Sequence, residues 1–300
     1  MNSITSQVLT LFLIVVVGLI AAKVNIFTDD VRKKMSDMLL NIVSPLLILK
    51  SFQIDYSQEI LGNMGVTALA AVCVIGLGII VGKLIFKKAP EDKRSVLWYA
   101  SAFPNCGYLG IPVVGGIFGD EGVIYVAVFM MVFQVYMWTA GILIFTGKTE
   151  KWYKPLTRPG MIAVIIGLLT FTFGIKYPVP LYNTFSMVGG MTSPLAMLLV
   201  GAFLSDSTIK EMVTDKHTYL IALLRFAVYP TLTYFALKPF GIPYVVFATI
   251  VLLSSMPAAT NTVILATKFD GNPKFASRMV TMTTLMAMAL IPVWMYIINL

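Results

Sequence analysis

SAFPNCGYLGIP, residues Ser101 to Pro112, sets Pro104, Gly107, Gly110 and Pro112 within nine residues of one another, inside a long apolar stretch. Proline has no amide hydrogen to donate and its ring clashes with the preceding turn. Glycine has little helical preference, so a regular helix does not continue through these residues. The break frees backbone donors and acceptors. Inside a bilayer such groups must be buried in protein or line a water-filled cavity, which makes Asn105, Cys106 and Gly107 a candidate site near the membrane midplane.

The rest of the chain supports a membrane setting. Of its 300 residues 58% are hydrophobic and 12% are charged, too few polar groups to cover a surface facing water. A helix needs roughly 20 apolar residues to cross a bilayer core. Stretches of about that length recur near 6 to 22, 37 to 54, 60 to 86, 95 to 118, 122 to 146, 159 to 175, 183 to 204, 218 to 237, 243 to 267 and 278 to 298. Helices are expected because a bilayer leaves backbone groups no other partners, and the alternation of a barrel strand is missing. The expected fold is an all-α integral membrane protein of ten transmembrane helices. MNSITSQVLT has no Lys or Arg ahead of LFLIVVVGLIAA, so the first stretch is expected to stay as a helix rather than act as a cleaved signal.

Lys and Arg collect in cytoplasmic loops. On the ten-helix map nineteen of the 22 fall on one side: Lys23 and Arg32 to Lys34 after helix 1, Lys83 to Arg94 around the end of helix 3, Lys148, Lys151, Lys154 and Arg158 after helix 5, Lys210, Lys216 and Arg225 at the helix 7 to 8 turn, and Lys268, Lys274 and Arg278 between helices 9 and 10. Lys50, Lys176 and Lys238 fall on the other. This asymmetry predicts both termini outside the cell (plasma or bacterial inner) membrane. It also accounts for the net charge of +8 through contact with anionic membrane lipid, without nucleic acid.

A period near 150 residues is visible. SPLLILKSF (Ser44 to Phe52) is echoed by SPLAMLLVGAF (Ser193 to Phe203), aligning Pro45 with Pro194, and the break at Pro104 is echoed by SSMPAATN (Ser254 to Asn261), aligning it with Pro257. Residues 1–150 and 151–300 thus read as two five-helix repeats. Five is odd, so the second copy runs opposite to the first, the inverted plan of many secondary transporters.

Beyond each break a half-helix starts with its amino end at membrane depth, carrying partial positive charge. Two such ends favour an anion, with Asn105, Thr260 and Asn261 as further donors. The competing reading is that Pro104, Pro112 and Pro257 only kink packed helices whose polar residues bond to one another. Gln134, with Trp138 one turn on, and Ser44 join the candidate binding residues. No Asp or Glu lies at an expected midplane, which argues against a carboxylate proton relay and leaves a coupling ion open. Lys50 and Arg225 are expected to snorkel to the nearer surface. Cys73 and Cys106 sit inside helices, which points to neither a disulfide nor a thiolate metal site. Cys73 is expected to be inert and Cys106 reachable through water in at least one state. His217 reads as an ordinary solvated histidine, and no residue pattern calls for a cofactor or metal.

FPNCGYLGIPVVGGIFGDEGVIYVAVF resembles the fourth and fifth helix signature of the auxin efflux carrier family, MPAATNTVILATKFDGNPKFASRMV its ninth-helix break and following loop, and TRPGMIAVIIG its sixth-helix opening. The likeness covers nearly the whole chain. It implies a scaffold of helices 1, 2, 6 and 7 and a core of helices 3 to 5 and 8 to 10 in which helices 4 and 9 cross. It also implies elevator motion of that core, a homodimer, and a substrate-binding role for Asn105. Arg158 and Gly160 flank Pro159 where plant members carry asparagines, and the long loop of many plant members is missing. A compact permease for a small mono- or dicarboxylate such as malate or malonate is therefore expected over an auxin-like aromatic carboxylate carrier.

Two other classes compete. An intramembrane enzyme would need a His pair for a metal, a serine with His and carboxylate, or an embedded acid, and these patterns are missing. A gated anion channel also uses broken helices, and saturating exchange of substrate separates it from a carrier.

Overall fold

A computed structural model describes residues 3–148, 154–205, 215–269 and 271–298. Lys151 and Lys210, counted among the basic loops, lie outside them. The described residues are helix and turn, with a single isolated β-bridge. Five helical stretches are long and apolar enough to cross a membrane: Gln58–Phe86, Cys106–Thr146, Val179–Leu204, Lys216–Phe240 and Pro273–Ile297. Shorter apolar helices cover Leu9–Lys23, Pro159–Thr172 and Tyr244–Ser254. These describe a multi-pass membrane protein. A straight helix of the 41 residues of Cys106–Thr146 would run to about 60 Å, twice the roughly 30 Å of a hydrocarbon core. Gly119, at φ 61 and ψ −145, interrupts it with a conformation that suits glycine.

Proline shapes the helices elsewhere. Leu39–Val43 and Leu224–Val228 are single π turns, the first just before Pro45 and the second just before Pro230. A proline removes the bond to the carbonyl four residues back and crowds it, and one wider turn relieves the crowding. Further π turns lie at Cys106–Gly110 and Met137–Gly141.

The chain divides into two compact units. The first comprises residues 1–68, 107–131 and 153–205. In it α1 (Ser3–Lys23) lies along the helix Thr192–Leu204 at backbone contact. A Cβ on Gly18 would stand 2.1 Å from the Leu198 carbonyl oxygen, and one on Gly201 would stand 1.9 Å from that of Val15. Small residues that allow backbones to touch are a usual device for packing helices in lipid. Gly189 opposite the Leu47 backbone and Gly167 opposite the Phe52 ring seat the helix Ser44–Ser51 in the same way. Arg32, buried, donates to the Ala202 carbonyl at 3.1 Å and pairs with Asp29, placing a cation at the carboxyl end of Thr192–Leu204 where the helix dipole favours one. Lys50 has a partner that the sequence did not indicate. It forms an ion pair with Asp120 within this unit, because the Gly119 break brings that carboxylate to it.

The second unit comprises residues 69–106, 132–152 and 206–300. A Cβ on Gly78 would stand 2.7 Å from Ala102 Cα, and Trp98 Nε1 donates to the Ile79 carbonyl at 2.8 Å, so the end of Gln58–Phe86 is packed on Glu91–Ala102. Val96, Leu97, Ala100, Ile221, Leu224 and Met279 are among the residues of its core.

Candidate functional site

The helix Glu91–Ala102 ends where Phe103 turns extended, at φ −106 and ψ 108, one residue before Pro104. The helix Tyr244–Ser254 ends three residues before Pro257. The two breaks meet inside the second unit. Asn105 N donates to the Pro257 carbonyl at 2.8 Å and Ala259 N donates to the Phe103 carbonyl at 3.0 Å, so Pro104 and Ala258 face each other as one antiparallel β-bridge. Backbone groups at the two breaks are thus bonded across the two chain segments, which is how irregular backbone is tolerated at membrane depth. Hydroxyls take up more of the loose ends: Ser254 and Ser255 donate to Val251 and Leu252 carbonyls at 2.7 and 2.8 Å, and Thr262 to that of Ala259 at 2.6 Å.

Helical backbone restarts at Cys106 on one segment and at Asn261 on the other. Asn105, 3% exposed, donates from Nδ2 to Thr260 Oγ1 at 3.2 Å. Asn261 Nδ2 points at Met137 Sδ, 3.1 Å away. Asn105, Cys106, Thr260 and Asn261 therefore gather around one bridge, with Met137 beside them. Gln134, half-buried and one turn before Met137, keeps its Oε1 without a hydrogen-bond partner. Ser44 and Gly107 belong to the first unit. Ser44 is buried with its hydroxyl unpartnered, and Gly107 has Met130 and Leu40 side chains at 3.6 and 4.0 Å from where a Cβ would stand. Pro112 stands two residues after the Cys106–Gly110 π turn, the placement that Pro45 and Pro230 have after theirs, and that wider turn relieves the crowding it causes. Cys106 is buried and Cys73 lies on an exposed helix face. His217 bonds Asp215 at 2.8 Å and is only partly solvated.

An aromatic wall backs the bridge. Tyr99 stacks on Phe103 with ring centroids 4.2 Å apart, and Phe103 meets Phe133 edge-on at 5.4 Å. Arg225 lies behind it, and here the expectation of snorkelling fails. Its side chain is 0% exposed, Nε donates to the Ala100 carbonyl at 3.0 Å, and the guanidinium stands 5.6 Å from the Tyr229 ring. Pro230 accounts for this placement: the Leu224–Val228 π turn that accommodates it carries Arg225. The Phe226 carbonyl, which a proline four residues on cannot reach, accepts from Trp294 Nε1 at 2.6 Å. A cation followed five residues later by proline in LLRFAVYP was the visible sign.

The chain matches a family model described as a membrane transport protein over residues 3–157 and 148–295. It belongs to the auxin efflux carrier family of membrane transport proteins. An "Uncharacterized transporter" of Methanothermobacter thermautotrophicus is 26% identical over 97% of each chain. A "Putative malonate transporter" of Rhizobium meliloti is 20% identical over 100% of this chain and 97% of its own. "Protein PIN-LIKES 1" of Arabidopsis thaliana is 25% identical over 39% of this chain and 28% of its own. The family is one of transporters, which sets aside the intramembrane enzyme.

Proposed function

We propose that the chain is a secondary carrier that moves a small organic anion, a mono- or dicarboxylate such as malonate or malate, by alternating access. The observation that carries this reading is the bridge between the two breaks. It ties together two restarting helices whose amino ends attract negative charge, beside the donors Asn105, Thr260 and Asn261. A relative named for malonate transport supports a carboxylate, and Arg158 and Gly160 around Pro159, where plant members carry asparagines, favour a small carboxylate over auxin.

Ten helices in two inverted five-helix repeats fit the paired positions of Pro104 and Pro257. An elevator fits the division of the chain: helices 1, 2, 6 and 7 fall in the first unit, and helices 8 to 10 with the break of helix 4 in the second. Helices 3, 4 and 5 are shared between units, so on this reading the core is narrower than a clean partition by whole helices. Both termini outside, a homodimer, and binding roles for Asn105, Cys106, Gly107, Thr260, Asn261, Gln134 and Ser44 complete the proposal.

Proteoliposomes loaded with unlabelled malonate or malate and diluted into labelled substrate test it. A carrier accumulates label transiently and with saturation, by counterflow. Flux that rises linearly with concentration and shows no counterflow would mark a channel. No flux and no thermal stabilisation by any carboxylate of a panel would end the reading; at 100 times its dissociation constant a true ligand stabilises by about 2.7 kcal/mol.

A further inference from the structure

We propose that Arg225 is the counter-charge of the substrate, receiving its carboxylate on the two terminal guanidinium nitrogens. This rests on the carboxylate-carrier reading and gives that site a fixed positive charge. The guanidinium is fully buried in the second unit, and a buried charge is tolerated when it is paired and hydrogen-bonded. Only Nε is bonded, to the Ala100 carbonyl at 3.0 Å. Both terminal nitrogens are buried without a hydrogen-bond partner. No aspartate or glutamate side chain is among the buried residues described, so the compensating anion does not come from those residues.

The surroundings select the anion and place it. Ala100 lies in the last turn of Glu91–Ala102, three residues before the Phe103 turn into the bridge. The guanidinium face rests on Tyr229, whose hydroxyl is tied to Ser101 Oγ at 2.6 Å, so the fork is held in one plane. A fixed planar fork with two free ends matches a carboxylate in bidentate geometry, which a lysine does not. The Tyr99 hydroxyl, also buried and unpartnered, is a second donor on the same segment. Arg225 sits in a π turn, an irregularity frequent at functional sites.

The test is thermal melting and ligand titration of wild type, Arg225→Met and Arg225→Lys in detergent, with chloride, formate, malonate and malate as probes. Arg225→Met keeps an unbranched apolar stem and removes an uncompensated buried charge, so without ligand it should melt no lower than wild type. Its affinity for malonate should fall about tenfold to a hundredfold. Arg225→Lys, which keeps charge but loses the fork, should also bind malonate about tenfold more weakly. A ligand-free Arg225→Met protein that melts well below wild type makes Arg225 a structural clamp on Ala100 and overturns the proposal. So does malonate affinity unchanged in both variants while wild type binds. Wild type that responds to none of the carboxylates refutes the carrier reading itself, and this role with it.

Discussion

Asn105→Ala separates holding the breaks together from holding a substrate, because the two roles differ in size and in when they act. In the structure the Asn105 amide donates to Thr260 Oγ1 at 3.2 Å, a neutral bond at the long end of the N–H···O range. Such a bond contributes about 1 kcal/mol or less to stability, and the bridge itself survives the substitution because Asn105 N and Pro257 O are backbone atoms. Toward a carboxylate the same amide would form a charge-assisted bond worth about 1.5–3 kcal/mol, or roughly ten to a hundredfold in affinity. The expected outcome is therefore a small loss in melting temperature and a large loss in malonate affinity, read by ligand titration of the purified variant. A double-mutant cycle with Thr260→Val measures the clasp directly, with a coupling of about 1 kcal/mol or less in the absence of malonate. A stable Asn105→Ala protein that binds malonate like wild type would take Asn105 out of the site. A large stability loss with unchanged affinity would make it a clasp alone.

Gly201→Ala sets a Cβ 1.9 Å from the Val15 carbonyl and 2.7 Å from Leu19 N; both neighbours are backbone, so the helices must part, at about 3 kcal/mol, whereas Gly160→Ala, with nothing within 4 Å, should stay within about 0.5 kcal/mol, and equal melting of the two would refute the close approach. Trp294→Phe strands the Phe226 carbonyl that Pro230 has already deprived of its helical donor, and unfolding should come about 1–3 kcal/mol sooner; wild-type melting would show that another donor replaces the indole. Burial pushes the Asp215 carboxyl up, but Lys93 and the His217 backbone and ring N–H groups outweigh it and hold it down at about 2. Because this lies below the unfolded value of 3.8, Asp215 stabilises the protein above about pH 4 and loses that effect as pH falls toward 2. Asp215→Asn should accordingly cost about 1 kcal/mol at neutral pH after solvent screening, with the gap from wild type closing over that interval; a gap that stays constant would assign the effect to shape rather than charge.

What could be read in advance follows from how local each cause is. Pro104 and Pro257 announce their breaks because a missing amide hydrogen is a property of one residue, and the apolar stretches announce helices because lipid offers the backbone no other partner. The partner of each freed group is a property of the fold. No residue near Phe103 indicates that its carbonyl is taken by Ala259, and nothing in the apolar run around Phe226 indicates Trp294. Arg225 was misjudged for the same reason. Hydropathy counts residues from the end of a helix and so treats an arginine near that end as free to reach water, but the wider turn ahead of Pro230 and the carbonyl of Ala100 hold it under the break instead. The partner of Lys50 was equally hidden: Asp120 is 70 residues away, brought there by one glycine conformation at residue 119. In both cases the charge was visible and its counterpart was not, and a buried charge takes its meaning from its counterpart. Lys50 finds its counterpart in an aspartate of the chain, and Arg225 keeps two donors for one that the described residues do not provide.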